Sequence, residues 1–328
     1  MVDVSGTLRW GILGAGDVCE VKSGPAFQKA AHSELLAVMR RAGDKAADFA
    51  RRHGVPRWYD SIEALLADPD IDAIYIATPP RFHLEHCLAA LDAAKHVYLE
   101  KPMAMNATEC RAIIEAERKS PGKVAVAHYR RELPAFKKVG ELIADGSIGE
   151  VRLAEVNFFL PEVNTLVPDA GDNWRLDPET SGGGLFHDLS PHLLDLLLAY
   201  FGKPLSYEGF ALRQNEASPA DDFVQGTVRF ASNIVFKGCW CFSVAPCAAS
   251  ELLVITGNKG RVSCTFFGDE VRFCTDGAEE VIRFTNPVNI QQPMIEQVSA
   301  YFLGLRDCPC PTADGLQVME IIDRFTGN

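Results

Sequence analysis

The sequence predicts an α/β protein in two parts, a doubly wound parallel sheet followed by an α/β domain on a mainly antiparallel sheet. Three observations predict it. Strand-length and helix-length stretches alternate from Leu8 to Ala127, a glycine turn closes the first strand, and strand-like runs follow one another after Ser206 with no helix between them. Alternation at this pitch makes βαβ units, which set strands parallel and cover both faces with helices. Consecutive strands separated only by turns pair antiparallel.

In order, the first strand candidates are Leu8–Leu13, Glu34–Met39, Ile71–Ala77, His96–Glu100 and Lys123–Ala127. Apolar residues dominate most of them, as in strands covered on both faces. Helix candidates between them are Val18–Ala30, Asp44–His53, Ile62–Ala67, Leu84–Ala94 and Ala107–Lys119. Two starts carry capping chemistry, Asp60 with Glu63 and Asn106 with Glu109, each an oxygen-bearing N-cap three residues before a carboxylate. After Glu132 the pattern changes. A helix near Phe136–Ala144 and an alternating strand Glu150–Leu160 precede an irregular stretch, Pro161–Ser181. Gly182-Gly183-Gly184 then opens a helix from Asp188 to Tyr200. The later strand runs are Ser206–Arg213, Phe223–Phe230, Asn233–Phe242, Glu251–Thr256, Gly260–Phe266, Glu270–Cys274 and Glu280–Phe284. Turns such as Gly257-Asn258-Lys259-Gly260 separate them, and helices Met294–Leu305 and Ala313–Phe325 follow. The domains are therefore expected at 1–127 and 128–328.

A chain of 328 residues suits two domains of ordinary size. With 47% hydrophobic and 23% charged residues it has the balance of a globular protein. A net charge of −12 argues against nucleic acid or an anionic membrane as partner. No apolar run approaches the roughly 20 residues of a membrane span, and Met1–Thr7 carries no secretory signal, so a cytoplasmic location is expected. The 10 cysteines lack the paired spacing of a zinc site and are read as reduced thiols, with no metal.

Gly14-Ala15-Gly16-Asp17-Val18 lies between a strand and a helix, the context of a dinucleotide phosphate turn. The first glycine permits the tight turn and the second lets backbone approach a pyrophosphate. The third fingerprint position is Cys19 instead of glycine. Cofactor choice is set at the end of the second strand, where a carboxylate would bind the ribose 2′-hydroxyl of NAD. Here the strand runs into Arg40-Arg41, whose guanidinium groups suit a 2′-phosphate. NADP is the preferred reading, and NAD is compatible with the rest of the turn.

Further motifs follow in order: Ala77-Thr78-Pro79-Pro80-Arg81-Phe82-His83, Glu100-Lys101-Pro102, and Gly182-Gly183-Gly184-Leu185-Phe186-His187-Asp188-Leu189-Ser190-Pro191-His192. Together with the glycine turn they resemble the glucose–fructose oxidoreductase / inositol dehydrogenase / MocA (Gfo/Idh/MocA) family from Leu8 to at least Tyr200. The resemblance implies an N-terminal Rossmann domain and a C-terminal α/β domain with a large open sheet whose exposed face builds homodimers or homotetramers. It also implies oxidation or reduction of a hydroxyl or carbonyl on a sugar, cyclic polyol or related diol. The family's lysine, aspartate and histidine fall on Lys101, Asp188 and His192. Cofactor contacts are expected from the glycine turn, Arg40, Arg41, Thr78, Pro79, His83, Glu100 and Lys101, and from Trp174-Arg175, which in relatives approaches the nicotinamide.

The residue chemistry agrees. Asp188 and His192 are four apart, so a helix puts both on one face. Hydride transfer at carbon needs proton transfer at its oxygen, and histidine titrates in the right range. Lys101 at a strand end can polarise that oxygen. His192 is thus read as general acid/base, Lys101 as electrostatic partner and Asp188 as substrate positioner. Tyr129 and Arg130 are substrate-contact candidates. Asp195 is read either as orienting His192 or as a solvated helix carboxylate. The competing functions are a glycosidase using transient oxidation and a catalytically idle NADP-binding regulatory protein.

Overall fold

The computed structural model describes residues 6–162 and 174–327, so residues 163–173 of the irregular stretch lie outside the described residues. The chain divides into two compact units, one of residues 1–130 and 287–316, the other of residues 131–286 and 317–328.

The first unit holds strands β1 (Leu8–Leu13), β2 (Ser33–Met39), β3 (Arg57–Tyr59), β4 (Ala73–Ile76), β5 (His96–Leu99) and β6 (Val124–Val126). They form one parallel sheet in the order β3-β2-β1-β4-β5-β6. The order reverses between β1 and β4, the switch point at which open α/β sheets bind ligands beyond their strand ends. The β1–β2 and β4–β6 segments are almost wholly buried, as their apolar composition requires. β3 was not predicted. It is a short edge strand with no fully buried residue, so it carries no hydrophobic signature. Trp10, Phe27, Tyr75 and Tyr98 pack under the sheet with ring centroids 4.8–6.5 Å apart.

The expected helix Val18–Ala30 is two: α1 (Asp17–Val21) and α2 (Gly24–Lys29). Proline beside Gly24 restarts the helix, and a Cβ on Gly24 would lie 2.3 Å from the Cys19 carbonyl oxygen, so the chain turns tightly there. Helices α3 (Gly43–His53), α4 (Ile62–Ala67), α5 (His83–Asp92) and α6 (Ala107–Lys119) complete the alternation. Asn106 caps α6 by accepting from Glu109 N at 2.9 Å. The cap of α4 is Ser61, which accepts from Ala64 N at 3.2 Å, and not Asp60; the serine stands immediately before the first helical residue, where its hydroxyl reaches the amide of the third.

The second unit begins with α7 (Pro134–Ala144), β7 (Val151–Phe159), α8 (Pro178–Ser181) and α9 (Leu185–Phe201). Its strands β8 (Ser206–Leu212), β9 (Phe223–Arg229), β10 (Val235–Cys241), β11 (Ser250–Gly257), β12 (Gly260–Thr265), β13 (Glu270–Thr275) and β14 (Ala278–Arg283) join β7 in an eight-stranded sheet. Its order is β14-β13-β12-β11-β7-β10-β9-β8, and the β7–β10 pair alone is parallel. β9 alternates buried and exposed residues, so the sheet covers one face. Two helices follow: α10 (Gln292–Phe302) in the first unit, and α11 (Thr312–Thr326), within which the unit boundary falls. Phe325 of α11 packs where glycines leave room, since a Cβ on Gly226 would sit 2.1 Å from its ring. No helix among the described residues is long and apolar enough to cross a membrane.

Candidate active site

At the end of β1, Gly14 adopts φ +90°, and a Cβ there would lie 2.7 Å from Thr78 Cγ2. Only glycine lets the turn and the β4 loop approach this closely. The Gly14 and Ala15 amides both donate to Met39 O, at 3.1 and 3.2 Å, which seats the turn on the end of β2. A Cβ added to Gly16 would meet only Gly14 O, at 3.8 Å, so the turn stays open on that side. That open side and the first-turn amides of Asp17 and Val18 fit a pyrophosphate. Cys19 is fully buried, with Sγ 3.9 Å from Gly14 O, and burial pushes its thiol up to about 12. It therefore packs beneath the turn.

Arg40 and Arg41 follow β2, Arg40 half-buried and Arg41 exposed. The Arg41 guanidinium lies 5.9 Å over the Phe82 ring, which brings the ends of β2 and β4 together. Among the described residues neither arginine pairs with a carboxylate. Thr78 and Pro79 are half-buried on the β4 loop, and Thr78 Oγ1 lies 3.1 Å from His86 Nδ1. His83 is fully buried, with Nε2 2.8 Å from Thr78 O and Nδ1 2.9 Å from Pro102 O. Burial lowers its pKa against the pull of those two carbonyls. It thereby joins the loops that follow β4 and β5.

Lys101 is half-buried at the end of β5, before a cis bond to Pro102. Its amide donates to Glu100 Oε2 at 3.0 Å. Glu100 Oε1 accepts from the Tyr75 hydroxyl and, at 2.9 Å, from Gln291 Nε2. Tyr129 and Arg130 are buried in a 3-10 turn after β6, the guanidinium 5.5 Å from the Tyr129 ring centroid.

In the second unit, Asp177 caps α8, and Ser181 Oγ accepts from Gly184 N at 2.8 Å. Gly182, Gly183 and Gly184 take φ of +93°, +157° and +75°. A Cβ on Gly183 would fall 2.1 Å from His187 Nδ1, so the glycine turn lies directly on the His187 ring. Burial drives that imidazole down to about 4. The helix that follows starts at Leu185, earlier than Asp188, because Asp188 N already donates to Gly184 O at 3.1 Å. Asp188 and His192 share a face of α9, and Arg175 Nε lies 3.5 Å from Asp188 Oδ2. The same guanidinium stacks 4.6 Å over Trp174. The structure thus brings Trp174, Arg175 and Asp188 together. His192 is buried, its ring 6.2 Å from Phe266.

Asp195 is not a solvated carboxylate. It is 1% exposed and accepts two bonds from Arg131, at 2.8 and 2.6 Å. Arg131, Tyr75 and Gln291 are absent from the sequence-based site. A helical spacing marks Asp195, but no motif marks its partner.

A model of the oxidoreductase family with an NAD-binding Rossmann fold, GFO_IDH_MocA, matches residues 8–128, and the GFO/IDH/MocA C-terminal domain matches residues 136–263. The chain is 42% identical over 320 residues to Oxidoreductase P35 of Formosa agariphila, covering 98% of each. It is 30% identical over 230 residues to 1,5-anhydro-D-fructose reductase of Ensifer adhaerens, covering 69% of this chain and 67% of that one. The crystal structure of aldose-aldose oxidoreductase from Caulobacter crescentus, complexed with glycerol, is similar with a TM-score of 0.85. That likeness covers 97% of this chain and 96% of the other at 23% identity, and it speaks to the fold alone.

Proposed function

The chain belongs to the Gfo/Idh/MocA family of oxidoreductases, and on that premise we propose that it moves a hydride between a nicotinamide dinucleotide, NADP in preference to NAD, and a hydroxyl or carbonyl carbon of a sugar, cyclic polyol or related diol. The observation that carries this reading is the helix face of Asp188 and His192, with Asp188 held beside Arg175. When bound, the nicotinamide supplies or accepts the hydride. His192 exchanges the proton at the substrate oxygen. The Lys101 ammonium stabilises negative charge developing on that oxygen, and Asp188 accepts a neighbouring substrate hydroxyl. Tyr129 and Arg130 contact the substrate. Gly14–Val18, Thr78, Pro79, Glu100, Trp174 and Arg175 are the proposed dinucleotide contacts, and His83 holds the loops that follow β4 and β5.

Arg40 and Arg41, without a carboxylate at the end of β2, support NADP. The same family premise supports a homodimer or homotetramer built on the eight-stranded sheet, where Phe210 and Leu212 of β8 are 48% and 47% exposed. Titration with NADPH and NADH, then a reduced-nicotinamide absorbance screen of sugars, inositols and dihydrodiols, tests the reading. Tighter NADPH binding and turnover of at least one polyol or ketose are expected. Inert behaviour with every compound, together with a Lys101→Ala variant unchanged in every property, would overturn it.

A further inference from the structure

The Rossmann strand before Lys101 ends in a buried carboxylate held by side chains from two distant stretches. Glu100 is 7% exposed, Tyr75 is fully buried and Gln291 is 1% exposed. Tyr75 has one hydroxyl proton, and Glu100 Oε1 receives it; burial and the Glu100 charge hold that phenol well above its ordinary range, so it remains a donor. Gln291 Nε2 donates to the same oxygen at 2.9 Å, while its own Oε1 lies 3.4 Å from the Tyr75 hydroxyl. Glu100 Oε2 is left to accept the Lys101 amide at 3.0 Å. The carboxylate is therefore gripped on one oxygen and grips the lysine's backbone with the other.

Gln291 sits at the head of α10, in a segment fixed a second time. Asn289 Nδ2 donates to Val21 O, and Lys29 Nζ donates to Asn289 Oδ1, each at 2.7 Å. Val21 ends α1, the helix that leaves the glycine turn. The Asn289–Gln291 segment thus reaches both the helix after the glycine turn and the strand end that carries Lys101.

We propose that Gln291 and Tyr75 are positioning residues that fix Lys101 through Glu100. The proposal rests on the role assigned to Lys101, but its test does not need a substrate. Trace labelling with acetic anhydride across a pH series, read by peptide mass spectrometry, gives the reactivity of Lys101 against Lys119 and Lys203 as internal standards. Gln291→Met removes the donor at similar volume, and Tyr75→Phe removes one hydroxyl. Each is expected to raise Lys101 labelling about fivefold with the standards unchanged, the size expected when one buried hydrogen bond of about 1 kcal/mol is lost.

Gln291→Glu gives a signature that a merely structural role would not produce. Two adjacent carboxyls share one proton at low pH, which restores a donor to Glu100, and repel each other when both ionise. Lys101 labelling in this variant should match the native protein in acid and diverge as pH rises. Native labelling in all three variants at every pH would overturn the proposal. If labelling shifts as expected while Lys101→Ala keeps full turnover, the positioning stands and the catalytic reading of Lys101 fails. A dead Lys101→Ala with unshifted labelling in the variants leaves the catalytic reading and removes the positioning.

Discussion

The strand end that carries Lys101 and the helix that carries Asp188 and His192 are held in place by different means. Lys101 depends on contacts from far along the chain, since Gln291 lies 191 residues from Glu100 and His83 spans two separate loops. Helix periodicity alone puts Asp188 and His192 on one face, and ion pairs then secure the helix: Arg175 at Asp188 and Arg131 at Asp195. A strand end offers one residue with no periodic neighbour, so its surroundings must be brought to it. A helix brings its own neighbours.

The most direct way to break the comparison is to remove the groups proposed to act on the substrate oxygen. His192→Asn is expected to lower turnover by about 10²–10⁴, and Lys101→Met by about 10²–10³, in steady-state assays with the best compound of the screen. Equal, negligible losses at both positions would dissolve the distinction. Next comes the anchor of the helix. Arg131→Met leaves Asp195 buried without its bidentate partner and should cost about 3–5 kcal/mol in a urea unfolding curve. An unchanged midpoint would show that packing alone holds α9.

Acid should weaken both units together. Burial lowers His187 in the second unit and His96 in the first to about 4, so each is neutral when folded and takes a proton near its ordinary value when unfolded. Their stabilisation is complete above pH ~6.5 and is lost as pH falls toward about 4, by about 3 kcal/mol for each. Urea midpoints between pH 7 and 4 read this, and His187→Asn should flatten part of the slope; an identical slope would exclude His187 as a source. The smallest effect sharpens the cofactor end. Replacing Arg40 and Arg41 with alanine should weaken NADPH binding about tenfold while NADH binding stays within about twofold, measured by fluorescence titration. Equal losses for both would remove the arginines from 2′-phosphate recognition.

Much of this arrangement was legible because burial leaves a periodic trace. β1 and α6 run over the residues that hydrophobic patterning assigns them, and the glycine turn stands where a strand meets a helix. β3 was not legible, since Arg57-Trp58-Tyr59 at a sheet edge has no buried face to record. The break between α1 and α2 was written in Gly24-Pro25 but outweighed by the apolar spacing around it. Asp188 and His192 could be placed from spacing because one helix carries both. Arg131, Tyr75 and Gln291 could not, because a hydrogen bond between remote residues leaves no period in either stretch.

The return of residues 287–316 to the first unit bears on the order in which the chain is made. Every strand of the parallel sheet has been synthesised by Val126, yet Glu100 then still lacks Gln291, and the helix after the glycine turn lacks Asn289. On the ribosome the second unit's eight-stranded sheet is translated in full before these residues emerge. Domains generally fold in order of synthesis. Here the first unit to begin waits for most of the second before it can be finished, and the carboxylate behind Lys101 reaches its final partners only once nearly the whole polypeptide exists.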